Sequence, residues 1–454
     1  MTTYAKNTLL TGDIRKTLIK MAVPLMVFSL INVVYSFIDA YWVGKLGDLQ
    51  VGAISLVSTV TGCATAFITG LSAGGMSLMS RAIGAEDRHR ANRMATILLI
   101  ASISLAVAIG AVIAVFARPI LTWLQAPEDI FMDAYWYLIG LAPDFLGVYV
   151  LTIFQAIRQS NGDSKSGVVL NIYAVILNAI LDPLLIMVFR MGILGAALAT
   201  TLSKLLVLPI ALWHLLNDVS VIHVNFRKYR FEFGLLKEVI KVSFPAAMGS
   251  FLMDFGFMIM NRYIIAYGSV ILSAYGMGNR TSSLFYIPTN ALAVALTPFV
   301  GQSIGARDYR RTQECFRQAL KLGVLVSLLV TVIGVPLTDP LTRLLLGEAS
   351  EYLITNAITY GRFSVGTTVF MLWMNVLLAM FNGAGETRSS LLINVIRLWG
   401  IRIPMLYCFR NYTDLGPLGI WLSMILSNVL VCLLGQLWFE FYYKRKYPVQ
   451  LTEA

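Results

Sequence analysis

Charge is scarce in this chain: 13% of its 454 residues are charged, against roughly 25% in soluble domains. Cysteine is almost absent, with Cys63, Cys315, Cys408 and Cys432 scattered singly, which excludes a disulfide scaffold or a zinc ribbon. Histidine is rarer still: His89, His214 and His223 form no HExxH pair. The chain also has no Walker A loop and no dinucleotide fingerprint, so nothing points to an ATP-driven pump or a metalloprotease. GLSAG at Gly70 to Gly74 matches a nucleophile elbow, but that motif needs a strand-to-helix turn and a partner histidine. Within an apolar helix Gly70 and Gly74 read better as a GxxxG close-packing pair. The N-terminus has no small-residue cleavage site, so no removable signal peptide is expected.

What fills the chain is hydrocarbon, with 57% hydrophobic residues. Runs of about 20 apolar residues, enough to cross a bilayer as helix, recur over 17–43, 52–80, 93–117, 131–157, 166–189, 193–216, 236–265, 270–304, 314–337, 352–381, 389–409 and 417–443. The net charge of +11 follows the loops between them. Lys6, Arg15, Lys16 and Lys20 open the first run, and the loops after even-numbered runs carry Arg81, Arg88, Arg90 and Arg93, then Arg158 and Lys165, then Arg227, Lys228, Arg230, Lys237 and Lys241, then Arg307, Arg310 and Arg311, and finally Lys444 to Lys446. By the positive-inside rule both termini are expected in the cytoplasm. The basicity thus reports topology, and no nucleic acid is expected as a partner.

The chain is also internally duplicated. IKMAVP at Ile19 to Pro24 returns as IKVSFP at Ile240 to Pro245, 221 residues later. The same offset pairs Gly47 with Gly268, Asp87 with Asp308 and Arg90 with Arg311; further on, Asn171 faces Asn394 after a small shift. The pattern predicts an all-α membrane protein: twelve transmembrane helices as two six-helix parallel repeats around a central cleft. The expected lobes are 1–216 and 236–454, joined by a cytoplasmic linker over 217–235.

NIYAVILNAILDPLLIM, Asn171 to Met187, holds polar residues where water seldom reaches. Asn171, Asn178 and Asp182 fall within about 40° of one another on a helix. Asn32, Tyr35, Ser36 and Asp39 form a similar stripe on the first span, and Thr200, Thr201, Ser203 and Tyr137 are available on the sixth and fourth. The twin half has Met260 opposite Asp39 and Met405 opposite Asp182, so neither acid is needed to build six helices. Desolvation disfavours the ionised form of a carboxylic acid, so acids in this setting can exchange protons; carboxylate, amide and hydroxyl oxygens also suit a hard cation such as Na⁺. In the second half Asp254 can line a cavity and attract a cationic substrate, and Met248, Met253, Met258, Met260, Met371 and Met374 offer thioethers that accept many apolar shapes. Asp144, next to Pro143, is expected to compensate a broken helix. Lys204, Arg262, Arg280, Arg362, Arg397 and Arg402 are expected to snorkel near helix ends or pair with acids.

The IKMAVP…FIDAYWVG opening, the RAIGAEDRHRANR and SIGARDYRRT loops and the NAILDP segment together resemble the multidrug and toxic compound extrusion (MATE) family, in particular its prokaryotic DNA-damage-inducible type. The resemblance implies export of organic cations or amphiphiles in exchange for H⁺ or Na⁺, from a cleft between two lobes. It implies an ion-coupling site at Asp39, Asn178, Asp182, Thr200 and Tyr137, with Na⁺ as the possible metal at the first four, and a helix bend at Pro24. A substrate cavity is expected to draw on Asp254, Met260, Gln155, Tyr35 and Asn32; Gln155 stands where some members carry asparagine. The expected protein is not an enzyme, uses no cofactor beyond the coupling ion, and works as a monomer in the cytoplasmic (inner) membrane of a prokaryote. The nearest alternative is a flippase for a lipid or lipid-linked saccharide, which a basic central cavity would favour.

Overall fold

The computed structural model describes residues 8–217, 222, 224–225, 232–347 and 349–448, and every regular element among them is helical. Lys6, His223, Arg227, Lys228 and Arg230 lie outside the described residues, as does part of the expected linker. A short turn, α1 (Thr8–Thr11), precedes α2 (Ile14–Gly44), α3 (Asp48–Gly84), α4 (Arg88–Trp123), α5 (Glu128–Leu141), α6 (Asp144–Ser160), α7 (Ser164–Pro183) and α8 (Gly192–Asn217). The second half supplies α9 (Phe233–Ile265), α10 (Ser269–Gly305), α11 (Tyr309–Leu346), α12 (Glu351–Gly366), α13 (Thr368–Gly383), α14 (Thr387–Val395), α15 (Ile403–Tyr412) and α16 (Pro417–Trp438). Among the described residues ten stretches are long and apolar enough to cross a membrane, and the number reaches twelve when each of two further bent pairs is counted as one span.

The bends have different causes. α5 and α6 meet at 45°, where Pro143 brings no backbone donor. α12 and α13 meet at 51° without a proline. There the Thr367 hydroxyl donates to the carbonyls of Phe363 (3.0 Å) and Ser364 (3.1 Å), competing with the helix for the acceptors of its preceding turn.

The duplication extends to local geometry. Asp87 caps α4 by accepting from the Arg90 amide at 2.9 Å, and Asp308 caps α11 by accepting from the Arg311 amide at 2.8 Å. Just before each cap a non-glycine residue holds the left-handed backbone conformation, Glu86 and Arg307, both at φ 59°. That conformation costs roughly 1–2 kcal/mol, so its repetition marks one loop design used twice.

Packing groups the chain into two units: Val27–Ala247, and Met1–Met26 together with Met248–Ala454. The boundaries fall inside α2 and α9, shortly after the equivalent prolines Pro24 and Pro245. Each half of the sequence therefore lends a helical segment to the other unit. In the first unit the lent segment of α9 approaches α3 so closely that a Cβ at Gly70 would meet the backbone of Ala247, and one at Gly74 would lie 2.8 Å from the backbone of Ser243. Arg90 reaches Glu238 at 2.8 Å and Arg93 reaches Glu232 at 2.6 Å. In the second unit Arg311, the repeat of Arg90, donates to the carbonyls of Leu9 (2.8 Å) and Gly12 (2.7 Å).

Candidate functional site

The polar stripes of the Val27–Ala247 unit meet. Asp182 is 0% exposed and Asn178 3% exposed, one helical turn apart on α7. The Asn178 side-chain amide donates to Asp182 Oδ1 at 3.0 Å. Asp182 Oδ2 is buried and has no hydrogen-bond partner among the described residues. Pro183 follows at once, and beyond it the helix widens into a π turn over Leu184–Val188, a feature common at functional sites.

From α2, Asp39 lies within electrostatic reach of Asp182. Tyr35 sits beside both Asp39 and Thr200, and Tyr137 is within reach of Asp39 and Asp182. Thr200 spends its own hydroxyl proton on the Ala196 carbonyl, 3.2 Å away, leaving its oxygen lone pairs available. Four helices, α2, α5, α7 and α8, thus bring two acids, two phenols, an amide and a hydroxyl together. Lys204 is within electrostatic reach of Asp39, but it is engaged elsewhere: its Nζ lies 2.9 and 2.8 Å from the two oxygens of Asp144. Of the two expectations for Lys204, snorkelling or pairing with an acid, the structure shows the second: it is the counterion that settles Asp144 at the helix break.

Other singled-out residues stand apart from the acids. Asn32 donates to the Phe28 carbonyl of its own helix at 2.9 Å. Gln155 accepts from Asn171 at 3.4 Å, and Asn171 is eleven residues, about 16 Å of helix, from Asp182. Pro24 lies inside α2 before the unit boundary. GLSAG is part of α3 and does not form the strand-to-helix turn a nucleophile requires. No group of three or more His, Cys, Asp and Glu side chains among the described residues is arranged to hold a metal.

In the second unit Asp254 is exposed, while Met260 is fully buried in an apolar cluster with Ile264, Ile271 and Trp421. A cavity of about 510 Å³ opens beside that cluster. Neither Asp254 nor Met260 lines it, but Met253 and Met371 do, together with Tyr275, Tyr286, Arg397 and Arg402. Arg397 and Arg402 are each only 6% exposed and do not snorkel. Their signal in the sequence is the repeat itself, which places Ala174 and Ala179 opposite them.

The duplicated halves are each recognised by one family model, MatE, over residues 24–184 and 245–408. The chain belongs to the MatE family. MatE proteins are membrane transporters rather than enzymes. The chain is 27% identical over 427 residues to the probable multidrug resistance protein YpnP of Bacillus subtilis, covering 92% of each chain. It is also 27% identical over 456 residues to an FAD transporter of Shewanella oneidensis, covering 94% of each. A crystal structure of a MATE protein in complex with MaD3S superposes with a TM-score of 0.92 at 23% identity, over 98% of this chain and 99% of that one. That likeness establishes the MatE fold for this multi-pass membrane protein.

Proposed function

We propose that this MatE protein is a secondary active antiporter of a prokaryotic inner membrane, with both termini in the cytoplasm, that exports organic cations or amphiphilic drugs in exchange for H⁺ or Na⁺ by alternating access. The observation that carries the reading is the Asp182 carboxylate, fully enclosed, with one oxygen unpaired and a second acid, Asp39, nearby. A buried acceptor left without a donor costs roughly 1–3 kcal/mol. A proton or a small cation at that atom removes the cost and the repulsion from Asp39 together. Asp39, Asn178 and Thr200 supply the remaining oxygens for a cation; for a proton, Tyr35 and Tyr137 supply hydroxyls beside the acids. Ion binding alters the packing of α2, which Pro24 leaves short of one backbone hydrogen bond and free to bend. Ion and substrate then weaken each other's binding, by reciprocal linkage. The export of drugs is supported by relatives named for multidrug resistance, and the protein is taken to act as a monomer with no cofactor besides the ion.

The test is efflux in everted vesicles at matched expression, with Na⁺ and pH varied separately. Asp39→Asn and Asp182→Asn are expected to lose ion-dependent efflux. Undiminished ion-driven transport by both variants sinks the reading. A second reading, flipping of a lipid or lipid-linked saccharide, is favoured by one feature, the two arginines in the cavity of the second unit.

A further inference from the structure

Arg397 and Arg402 are five residues apart. On an α-helix that spacing turns two side chains about 140° away from each other. Here the segment Ile396–Arg402 is a π-helix, whose hydrogen bonds close from i to i+5, so residues five apart follow one another along the same face. Both guanidinium groups consequently line the same cavity, close enough to repel each other.

Neither has a carboxylate partner among the described residues. Arg397 Nη1 lies 3.3 Å from the sulfur of Met374 and 3.7 Å from that of Met371, and Nη2 lies 3.4 Å from that of Met253. Its Nε is buried with no partner among the described residues. Thioethers are weak acceptors, so this cation is enclosed without compensation. Arg402 Nε donates to Ser427 at 2.8 Å and its Nη2 to Asn428 at 2.7 Å, both neutral acceptors. No acidic residue is among those that line the cavity. Burying a cation without an anion is strongly unfavourable, and the two arginines give the cavity lining an excess of positive charge with no acidic residue against it.

The remaining walls fit an organic body. Tyr275 stacks on Trp421 with centroids 6.4 Å apart and planes at 17°, and Tyr360 lies 4.9 Å from the same indole. Trp421 Nε1 is another buried donor without a partner among the described residues. The volume of about 510 Å³ is that of a small-molecule site.

We infer that this cavity binds an organic anion, a molecule with a phosphate or carboxylate group attached to an aromatic or aliphatic body, and that Arg397 and Arg402 are its anion-binding pair. The anionic group takes the free guanidinium donors, bidentate pairing being the strong mode for arginine. The body lies against Trp421 and the tyrosines. This goes beyond the export of cations and concerns binding alone, so it holds whether or not transport is ion-coupled.

The test is isothermal titration of the purified full-length protein in phosphatidylcholine nanodiscs with 1-naphthyl phosphate and with 1-naphthol, which differ only in the phosphate. The phosphate is expected to bind at least about tenfold more tightly than the naphthol, the difference expected for a charge-assisted pair. Arg397→Met and Arg402→Gln should each remove that preference while leaving naphthol binding unchanged. Arg397→Met removes hydrogen bonds to sulfur only, with unchanged naphthol binding as the check on its fold, and Arg397→Lys, which keeps the charge, should retain part of the preference. Phosphatidylglycerol in the nanodisc that competes with naphthyl phosphate identifies a lipid headgroup as the natural anion; absence of competition identifies a soluble one. Equal affinity of the unmodified protein for the two probes, or an Arg397→Met protein that still prefers the phosphate, overturns the inference. Because the titration needs no ion gradient, failure of ion-coupled export leaves it standing, and its own failure leaves the role of Asp39 and Asp182 untouched.

Discussion

Asp182→Asn separates stability from coupling. In the native protein Asp182 Oδ1 receives one hydrogen bond and Oδ2 none, in a position with no exposure to solvent. The amide keeps the bond from Asn178 on its oxygen and sets an unpaired NH2 where the unpaired Oδ2 stood, one orphan group for another, while the buried negative charge and its repulsion from Asp39 are removed; the variant should therefore fold at least as stably. Transport should move the other way. One charge crossing the membrane yields roughly 2.3 kcal/mol per 100 mV, which at about 1.4 kcal/mol per tenfold sustains a concentration ratio of about fiftyfold. In proteoliposomes exporting an uncharged amphiphile, whose exchange for one H⁺ or Na⁺ moves one net charge, with the voltage clamped by a potassium gradient, Asp182→Asn should lose about that factor per 100 mV, while its thermal unfolding midpoint stays level or rises. A variant that keeps the wild-type voltage dependence, or that is strongly destabilised, refutes the assignment of Asp182 as a carrier of exchangeable charge.

Lys204→Met leaves Asp144 buried and unpaired and should destabilise the protein by about 3–5 kcal/mol; adding Asp144→Asn should recover most of it, which a double-mutant cycle of thermal melts would measure. Gly74→Ala places a Cβ against the Ser243 backbone and should cost about 1–3 kcal/mol, read as a lower melting temperature. Asp308→Ala removes the cap of α11 and should cost about 1 kcal/mol, matched within error by Asp87→Ala if the two loops are equivalent in energy as they are in geometry.

The helices were legible in the sequence because a bilayer demands long apolar runs, and the duplication because IKMAVP and IKVSFP lie in the same register. The bend at Pro143 was signalled by the missing donor. The bend at Thr367 was not, since threonines bond backward in the same way inside unbroken helices, as Thr69 and Thr338 do here, and the residue type alone does not mark a break. The stripe of Asn178 and Asp182 was visible because it obeys the α-helical period. Arg397 and Arg402 were misread for the complementary reason: no residue type announces a π-helix, and at the ordinary period their side chains point to different faces and suggest two unrelated snorkelling cations. Burial alone, 6% exposure for each, corrects the reading.

The lending of segments has a consequence for how the polypeptide can be divided. A nick anywhere between Asn217 and Glu232 would leave one fragment holding Leu9 and Gly12, which Arg311 of the other fragment grips, and the second holding Glu232, Glu238 and Ala247, which Arg93, Arg90 and Gly70 of the first receive. Neither piece is a finished half. Two genes encoding them should complement each other, co-purifying when expressed together and degrading when expressed alone, so that this duplicated protein behaves as an obligate heterodimer whose subunits happen to share one chain.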